Sequence, residues 1–282
     1  MDDNYEYENF LSITQRSAIL EFIMTKNINY YEDLIKNNKD PVSFCNEKNI
    51  NILPSNDNKN KWNLTENNEF IKEKIIENVD KLKESDNIFD FKVLNSFSKE
   101  SPIKFVYWNN DLKGIIHYSD YNRETTYVYL FGLILELEQN IRDLLSKNKY
   151  TEKDLLKYLK NQIEQETDIS EKKTKEKIYK DSYERYSEEY GKIYPFQVFN
   201  LSHTINFFNN LIDIKKIESN KIPTQITTLR NSIMHKKNLI KVINFNEGPF
   251  KFDFDSFKNF RENVKILFNA IKNTRNQLSK LK

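Results

Sequence analysis

The fold of this chain is decided by residues 126–147, which read TYVYLFGLILELEQNIRDLLSK. Leucine and isoleucine recur there every three or four residues, the spacing of one face of an α-helix. We therefore predict a long amphipathic helix that buries Leu130, Leu133, Ile134, Leu137, Ile141, Leu144 and Leu145. Helical periodicity then continues almost to the end of the chain. This pattern predicts an all-α bundle of five or six helices over residues 125–282.

Residues 1–124 have a different pattern, in which short helical and strand-like segments are mixed. IKFVYW (103–108) and GIIHY (114–118) have the composition of two strands, and NNDLKG between them has that of a turn. Residues 56–69 are rich in asparagine and are predicted to form a loop. The chain is therefore predicted to be an α+β protein, with a small mixed α/β domain at 1–124 and a helical domain at 125–282.

The composition excludes several classes of active site. The four glycines lie too far apart to form a phosphate-binding loop or a dinucleotide fingerprint. The single cysteine, Cys45, excludes a disulfide framework and a thiolate zinc cluster. The three histidines, His117, His203 and His235, form no metal-binding pair in the sequence. We expect no metal site, so an enzyme built from this chain would depend on very few residues.

Charge and hydropathy limit the partners of the chain. Lys and Arg (44) nearly balance Asp and Glu (42), so the net charge predicts no affinity for nucleic acid. The lysine-rich run 171–180 is read as a solvated helix face or, alternatively, as a track for an RNA backbone. No apolar run is long enough to span a membrane, and MDDNYEYENF at the start lacks the apolar core of a signal peptide. With one cysteine, the chain is predicted to be cytoplasmic.

The segment IPTQITTLRNSIMH (222–235) combines an apolar stripe with polar side chains. Pro223 is predicted to start a helix, and the buried stripe is predicted to hold Ile222, Ile226, Leu229 and Ile233. Asn231 and His235 are four residues apart and are therefore expected to share a helix face. Arg230 directly precedes Asn231 and lies beside that face. A permanent cation, an amide and a titratable imidazole are thus expected at one edge of this helix.

These three groups suit metal-independent RNA cleavage, in which the ribose 2′-hydroxyl attacks the adjacent phosphate. His235 can act as general base and general acid, because an unperturbed imidazole changes protonation close to neutral pH. Arg230 can hold the phosphoryl oxygens through two parallel donors, and Asn231 can orient the imidazole or the phosphate. The alternative is a helix-edge histidine beside a surface arginine, without a catalytic role. His203, in an apolar helical stretch, is interpreted as a packing residue, and Asp253 as part of a helix cap.

Arg230-Asn231-Ser-Ile-Met-His235 resembles the R-x4–6-H motif, in its RNxxxH form, of the HEPN superfamily of helical ribonucleases. The resemblance covers about residues 126–280, with the long first helix and the motif-bearing late helix in the expected order. It implies a homodimer in which two motif helices form one composite cleft, with paired Arg230 and His235.

The same resemblance implies an acidic catalytic residue on the first helix. Glu138 is the best match, although Arg142 at position i+4 offers it a purely structural ion pair. In some HEPN toxins a tyrosine follows the motif as His-x-Tyr and is nucleotidylated by a partner antitoxin. Here Lys237 occupies that position, so that mode of control is not implied.

A second resemblance involves residues 105–120, FVYWNNDLKGIIHYSD. They are similar to the end of a CBS domain, where a strand pair closes with Gly-apolar-apolar-Thr/Ser-x-x-Asp. The similarity implies that Asp120 binds the ribose diol of an adenine nucleotide and that Gly114 belongs to the same ligand site. His117 stands where the family prefers Thr or Ser. The alternative is a strand hairpin that ends in a helix-capping aspartate.

The predicted function is a metal-independent endoribonuclease effector of the toxin or antiphage abortive-infection type. Cleavage is expected to need no cofactor, and an adenine nucleotide bound by the CBS-like domain is the expected regulatory ligand. The expected partners are RNA, a second copy of the chain and an antitoxin or other regulatory protein, with neither DNA nor a membrane. The alternative function is a non-catalytic HEPN-like module that binds RNA or a protein while its N-terminal domain senses an adenine nucleotide.

Overall fold

The computed structural model describes residues 13–48, 50–189, 195–243 and 251–281. The chain forms two compact units, each made of two segments. The first unit combines residues 1–129 with 235–265, and the second combines 130–234 with 266–282. Helices and strands are both present, which confirms the predicted α+β class.

Two of the small sheets of the first unit have three strands each. Helices α1 (Ile13–Ile23), α2 (Tyr31–Lys36) and α3 (Pro41–Lys48) precede an antiparallel sheet of β1 (Ile52–Pro54), β2 (Asn60–Leu64) and β3 (Phe70–Lys74). After α4 (Glu77–Asp80), a second sheet contains β4 (Lys81–Lys83), β5 (Ile103–Trp108) and β6 (Asp111–His117), with α5 (Phe91–Ser96) between β4 and β5. Strand β4 is parallel to β5, and β6 is antiparallel to it.

The prediction of a loop over residues 56–69 is wrong, because β2 lies within this range. Trp62 pairs across the sheet with Leu53, and its ring stacks on Tyr31 with centroids 4.3 Å apart. Cross-strand and aromatic packing of this kind stabilises a strand whose asparagines would otherwise disfavour it. The polar composition of the segment therefore concealed a strand that is held by its tertiary contacts.

The predicted hairpin of β5 and β6 is confirmed, but its turn is shorter than predicted. Trp108 pairs with Asp111, so only Asn109 and Asn110 lie between the strands. Both have positive φ, at 49° and 66°. A two-residue connection of type I′ requires left-handed backbone at both positions, and asparagine tolerates it. Strand β6 consequently begins at Asp111, three residues before Gly114.

An aromatic cluster joins the two segments of the first unit, residues 1–129 and 235–265. A 3-10 helix (Tyr118–Asn122) follows β6, and the short strands β7 (Val242–Ile243) and β8 (Lys251–Phe252) precede α11 (Phe254–Lys280). The Tyr118 ring lies 5.2 Å from Phe257, and the Tyr118 hydroxyl donates to the Phe252 carbonyl at 2.8 Å. The sequence pattern, by contrast, assigns this segment to the domain 125–282.

The second unit is helical in its described part. It contains the part of α6 (Glu124–Lys147) from Leu130 onward and the end of α11. Between them lie α7 (Glu152–Glu164), α8 (Ile169–Glu189), α9 (Leu201–Asp213) and α10 (Gln225–Met234). All seven residues predicted for the α6 stripe are buried. A capping box between Thr151 and Asp154 starts α7. Among the described residues, no helix has the length and apolarity that crossing a membrane requires.

Candidate active site on helix α10

Helix α10 is held by its apolar face and by the chain that leads into it. Ile222, Ile226, Leu229 and Ile233 are all buried, as predicted from their spacing. The Asn209 side chain donates to the Ile222 carbonyl and accepts from the Ile222 N–H, both at 2.8 Å. The helix begins at Gln225, two residues after Pro223. Because this face is fixed inside the second unit, the opposite edge of α10 is presented to solvent.

Two of the three predicted site residues interact on that edge. The Arg230 guanidinium donates from Nη1 to Asn231 Oδ1 at 3.3 Å. Arg230 is half-buried and Asn231 is exposed. Within the described residues, the other N–H groups of this guanidinium make no protein hydrogen bond. They are therefore available to an anion from solvent.

His235 immediately follows the last residue of α10, Met234, and its side chain is exposed. Lys236 has a φ of 47°, the left-handed conformation that commonly ends a helix. The Tyr127 hydroxyl then donates to the Lys237 carbonyl at 2.8 Å. The side chain of Asn122 also makes two hydrogen bonds with the backbone of Ile240. The backbone after His235 is thus fixed by hydrogen bonds while the imidazole stays accessible to solvent.

Glu138, the fourth predicted catalytic residue, forms an ion pair on its own helix. Arg142 Nη2 donates to Glu138 Oε1 at 2.5 Å, and both side chains are largely buried. Arg142 Nε is buried and has no partner among the described residues. None of the hydrogen bonds in the described part of the chain joins Glu138 to Arg230 or Asn231. The ion-pair alternative therefore has direct geometric support.

Asp120 belongs to a capping box of the 3-10 helix that follows β6, in which His117 is the N-cap and Asp120 is the third residue of the helix. Its Oδ2 accepts from the His117 backbone N–H at 2.8 Å, while His117 Nδ1 accepts from the Ser119 N–H at 3.1 Å. Asp120 Oδ1 also accepts from Arg123 Nε at 2.9 Å. Burial raises the pKa of Asp120, and the Arg123 charge opposes this effect. The alternative of a hairpin that ends in a helix cap thus describes the local structure, but the N-cap residue is His117 and not Asp120.

The same turn borders a cavity of about 260 Å³ inside the first unit. Its wall is mostly apolar, and a few polar residues contribute to it. The lining includes Ile52, Ile103, Thr25, Lys48, His117 and Asp120. A concave apolar site with a few convergent polar groups is typical of a small-molecule site. Thr25 and Lys48 were not predicted, because only the folded chain brings them to this cavity: Thr25 pairs with Ile115 of β6, and Lys48 ends α3.

Gly114, the second predicted ligand residue, is buried in β6 and does not line this cavity. A Cβ atom at this position would lie 2.6 Å from Met24 Sδ. Close packing against Met24 therefore explains the glycine without a ligand.

The remaining candidates from the sequence have structural roles. His203 is half-buried, and its pKa is lowered by burial and by the charge of Arg185. Asp253 accepts from the backbone N–H groups of Asp255 and Ser256, which confirms its role as the cap of α11. Among the described residues, no three side chains of His, Cys, Asp or Glu gather as a metal-binding group.

No protein-family model, curated protein or solved structure matches this chain. The function of the chain is therefore inferred from the chemistry of its own residues.

Proposed function

We propose that the protein is a metal-independent endoribonuclease whose cleavage site is built from Arg230, Asn231 and His235. The observation that carries this proposal is the edge of α10, where the Arg230 guanidinium keeps free N–H donors beside Asn231. His235, whose side chain is exposed, directly follows this helix in the chain. The resemblance of these residues to the RNxxxH form of the HEPN motif supports the same reaction. The proposed biological setting is an effector of the toxin or antiphage type in the cytoplasm.

The proposed reaction is an intramolecular transesterification. A base removes the proton of the ribose 2′-hydroxyl, whose oxygen then attacks the adjacent phosphorus. The bond from phosphorus to the 5′-oxygen breaks, and an acid protonates that leaving oxygen. The products are a 2′,3′-cyclic phosphate and a 5′-hydroxyl. A histidine can act either as the base or as the acid near neutral pH. Because one imidazole does not do both in the same step, a single enzyme copy needs a second titratable group for the other proton transfer.

A homodimer would supply that second group as the His235 of another copy. In the proposed cleft, one imidazole acts as base and the other as acid. Arg230 stabilises the additional negative charge on the phosphoryl oxygens through its free N–H groups. Asn231 holds the guanidinium by its 3.3 Å hydrogen bond. Glu138 is the acidic residue that the HEPN resemblance would add, and its bond to Arg142 favours a structural contribution.

The decisive experiment compares purified wild type with His235→Ala and Arg230→Ala on RNA in the presence of EDTA. We expect the wild type to produce fragments with 2′,3′-cyclic phosphate ends, and each variant to lose at least about a hundredfold in rate. Asn238→Ala, another exposed residue of the same segment, is the matched control and should retain activity. Unchanged cleavage in both site variants would end the proposal. RNA bound but never cut would favour the non-catalytic module instead.

We also propose that the cavity beside Asp120 binds the nucleoside part of an adenine nucleotide that regulates cleavage. The cavity volume and apolar wall suit an adenine ring, and the oxygens of Asp120 keep lone pairs for ribose hydroxyls. A thermal-shift titration with AMP, ADP and ATP tests this. Asp120→Asn should abolish the shift, whereas Asp111→Asn, an exposed carboxylate of the same strand pair, should leave it intact. No shift with any of the three nucleotides would reject the site.

A further inference from the structure

Helices α7 and α8 form a helical hairpin within the second unit. The Tyr158 ring of α7 packs 5.6 Å from Phe207 of α9, and Leu155 and Leu156 are buried beside it. Lys175 of α8 forms an ion pair with Glu166 in the connection between the two helices. Packing of the hairpin therefore uses one side of each helix and leaves the other side in solvent.

The solvent side of each helix carries a row of lysines. In both helices three lysines occur at positions i, i+4 and i+7, which places them on one face over about 10 Å of helix. All six are exposed. We call these rows the lysine stripes: Lys153, Lys157 and Lys160 on α7, and Lys173, Lys177 and Lys180 on α8.

Direct ion pairs neutralise little of the charge of the lysine stripes, although α7 and α8 each carry as many acidic as basic residues. Within the described residues, five of the six lysines form no ion pair, and Lys180 only approaches Glu184, at 3.9 Å. Some exposed lysines elsewhere have carboxylate partners, for example Lys221 with Asp213 at 2.6 Å and Lys258 with Asp255 at 2.9 Å. Unpaired like charges at one-turn spacing repel each other and weaken their helices. A repeating anion would relieve that repulsion.

We propose that the lysine stripes bind the sugar–phosphate backbone of the RNA that the α10 site cleaves. A phosphate chain supplies negative charge at regular intervals, and its neutralisation by lysines releases condensed counterions. Tyr183, which is 51% exposed and stacked on Tyr179, follows Lys180 by three residues and offers a ring to an unstacked base.

This inference rests on the proposed ribonuclease function, so the test measures binding separately from cleavage. All proteins carry His235→Ala to keep the RNA intact, and a fluorescently labelled single-stranded oligouridylate is titrated at increasing KCl. The stripe variant is Lys173→Gln/Lys177→Gln/Lys180→Gln. The matched control, Lys26→Gln/Lys221→Gln/Lys258→Gln, removes the same charge from three lysines that have carboxylate partners. Circular dichroism verifies that each variant is folded.

We expect the stripe variant to bind more weakly and its slope of log Kobs against log salt to become shallower by about 2, since each lost phosphate contact removes about 0.7 on single strands. The control should keep the parent slope. The same changes in the α7 stripe should act in the same direction. The inference is overturned if the parent fails to bind this RNA, if stripe and parent slopes agree, or if the control loses as much as the stripe variant.

Cleavage distinguishes this inference from the function on which it rests. With His235 intact, the stripe variant should lower kcat/KM at limiting RNA and leave kcat close to that of the wild type. If the stripe variant is active and its kcat/KM equals that of the wild type, the RNA-binding role of the lysine stripes is rejected, and the proposed ribonuclease function is not. Stripe-dependent binding without any cleavage by the wild type would reject the ribonuclease and keep the RNA surface.

Discussion

Arg142 and Glu138 are joined by a 2.5 Å hydrogen bond between neighbouring turns of α6, with side-chain exposures of only 12% and 13%. Removing one partner of an ion pair that is this buried is costly, because the remaining charge loses its partner without being hydrated again. We therefore predict that Glu138→Ala lowers the free energy of unfolding by about 2–3 kcal/mol. Urea unfolding measures this change.

The paired change Glu138→Leu/Arg142→Met removes both charges and should recover most of that stability. If the role of Glu138 is structural, folded Glu138→Ala should cleave RNA at close to the wild-type rate. A hundredfold loss of cleavage with an unchanged unfolding curve would instead make Glu138 a catalytic residue. The two measurements together therefore distinguish the alternatives that the sequence left open.

The elements predicted best from the sequence are those in which local periodicity and tertiary burial agree. The stripes of α6 and α10 are long enough for the pattern to specify a face, and every predicted position on both is buried. Strand β2 was missed because its stability comes from Trp62, which stacks on Tyr31 some thirty residues earlier in the chain. The cavity beside Asp120 likewise requires Thr25 and Lys48, and no local pattern marks either of them. Spacing thus predicts faces, whereas sites that join distant segments depend on the tertiary fold.

Gly114 and Gly132, the two glycines among the described residues, should respond to substitution with opposite sign. Gly114→Ala would place a Cβ 2.6 Å from Met24 Sδ, and such overpacking costs about 1–3 kcal/mol. Gly132 lies in α6, where an added Cβ would meet open space, so Gly132→Ala should stabilise the protein by about 0.5–1 kcal/mol. Thermal unfolding of both variants tests the pair. Met24→Ala should partly rescue Gly114→Ala, and an unaffected Gly114→Ala would contradict the packing explanation.

His117 is predicted to make the protein less stable in mild acid. Its Nδ1 accepts the Ser119 N–H and so carries no proton, and burial lowers the pKa of the imidazole to about 4. Between pH 6.5 and 4 the unfolded chain therefore binds a proton that the folded chain does not. Stability falls as the pH decreases through this window, by up to about 3 kcal/mol.

The variant His117→Asn isolates this effect. An asparagine oxygen can still accept the Ser119 N–H as a cap, but the side chain does not titrate. Asp120 and Arg123 remain in both proteins, so their own titration cancels in the comparison. We expect the difference in free energy of unfolding between variant and wild type to grow in favour of the variant from pH 6.5 to pH 4. A difference independent of pH would show that the imidazole titrates equally in both states.

The shape of the cation at position 230 is expected to set the rate of cleavage. Arg230 already donates one N–H to Asn231, so its planar fork can hold phosphoryl oxygens only with the donors that remain. Lysine keeps the charge but presents a compact ammonium without that fork. In single-turnover assays we therefore expect Arg230→Lys to cleave about ten to a hundred times more slowly than the wild type and faster than Arg230→Ala. Asn231→Ala, which removes only the orienting acceptor, should lose less than Arg230→Ala does. Equal rates for Arg230→Lys and wild type would mean that charge alone is required, and equal rates for Arg230→Ala and wild type would remove Arg230 from the reaction.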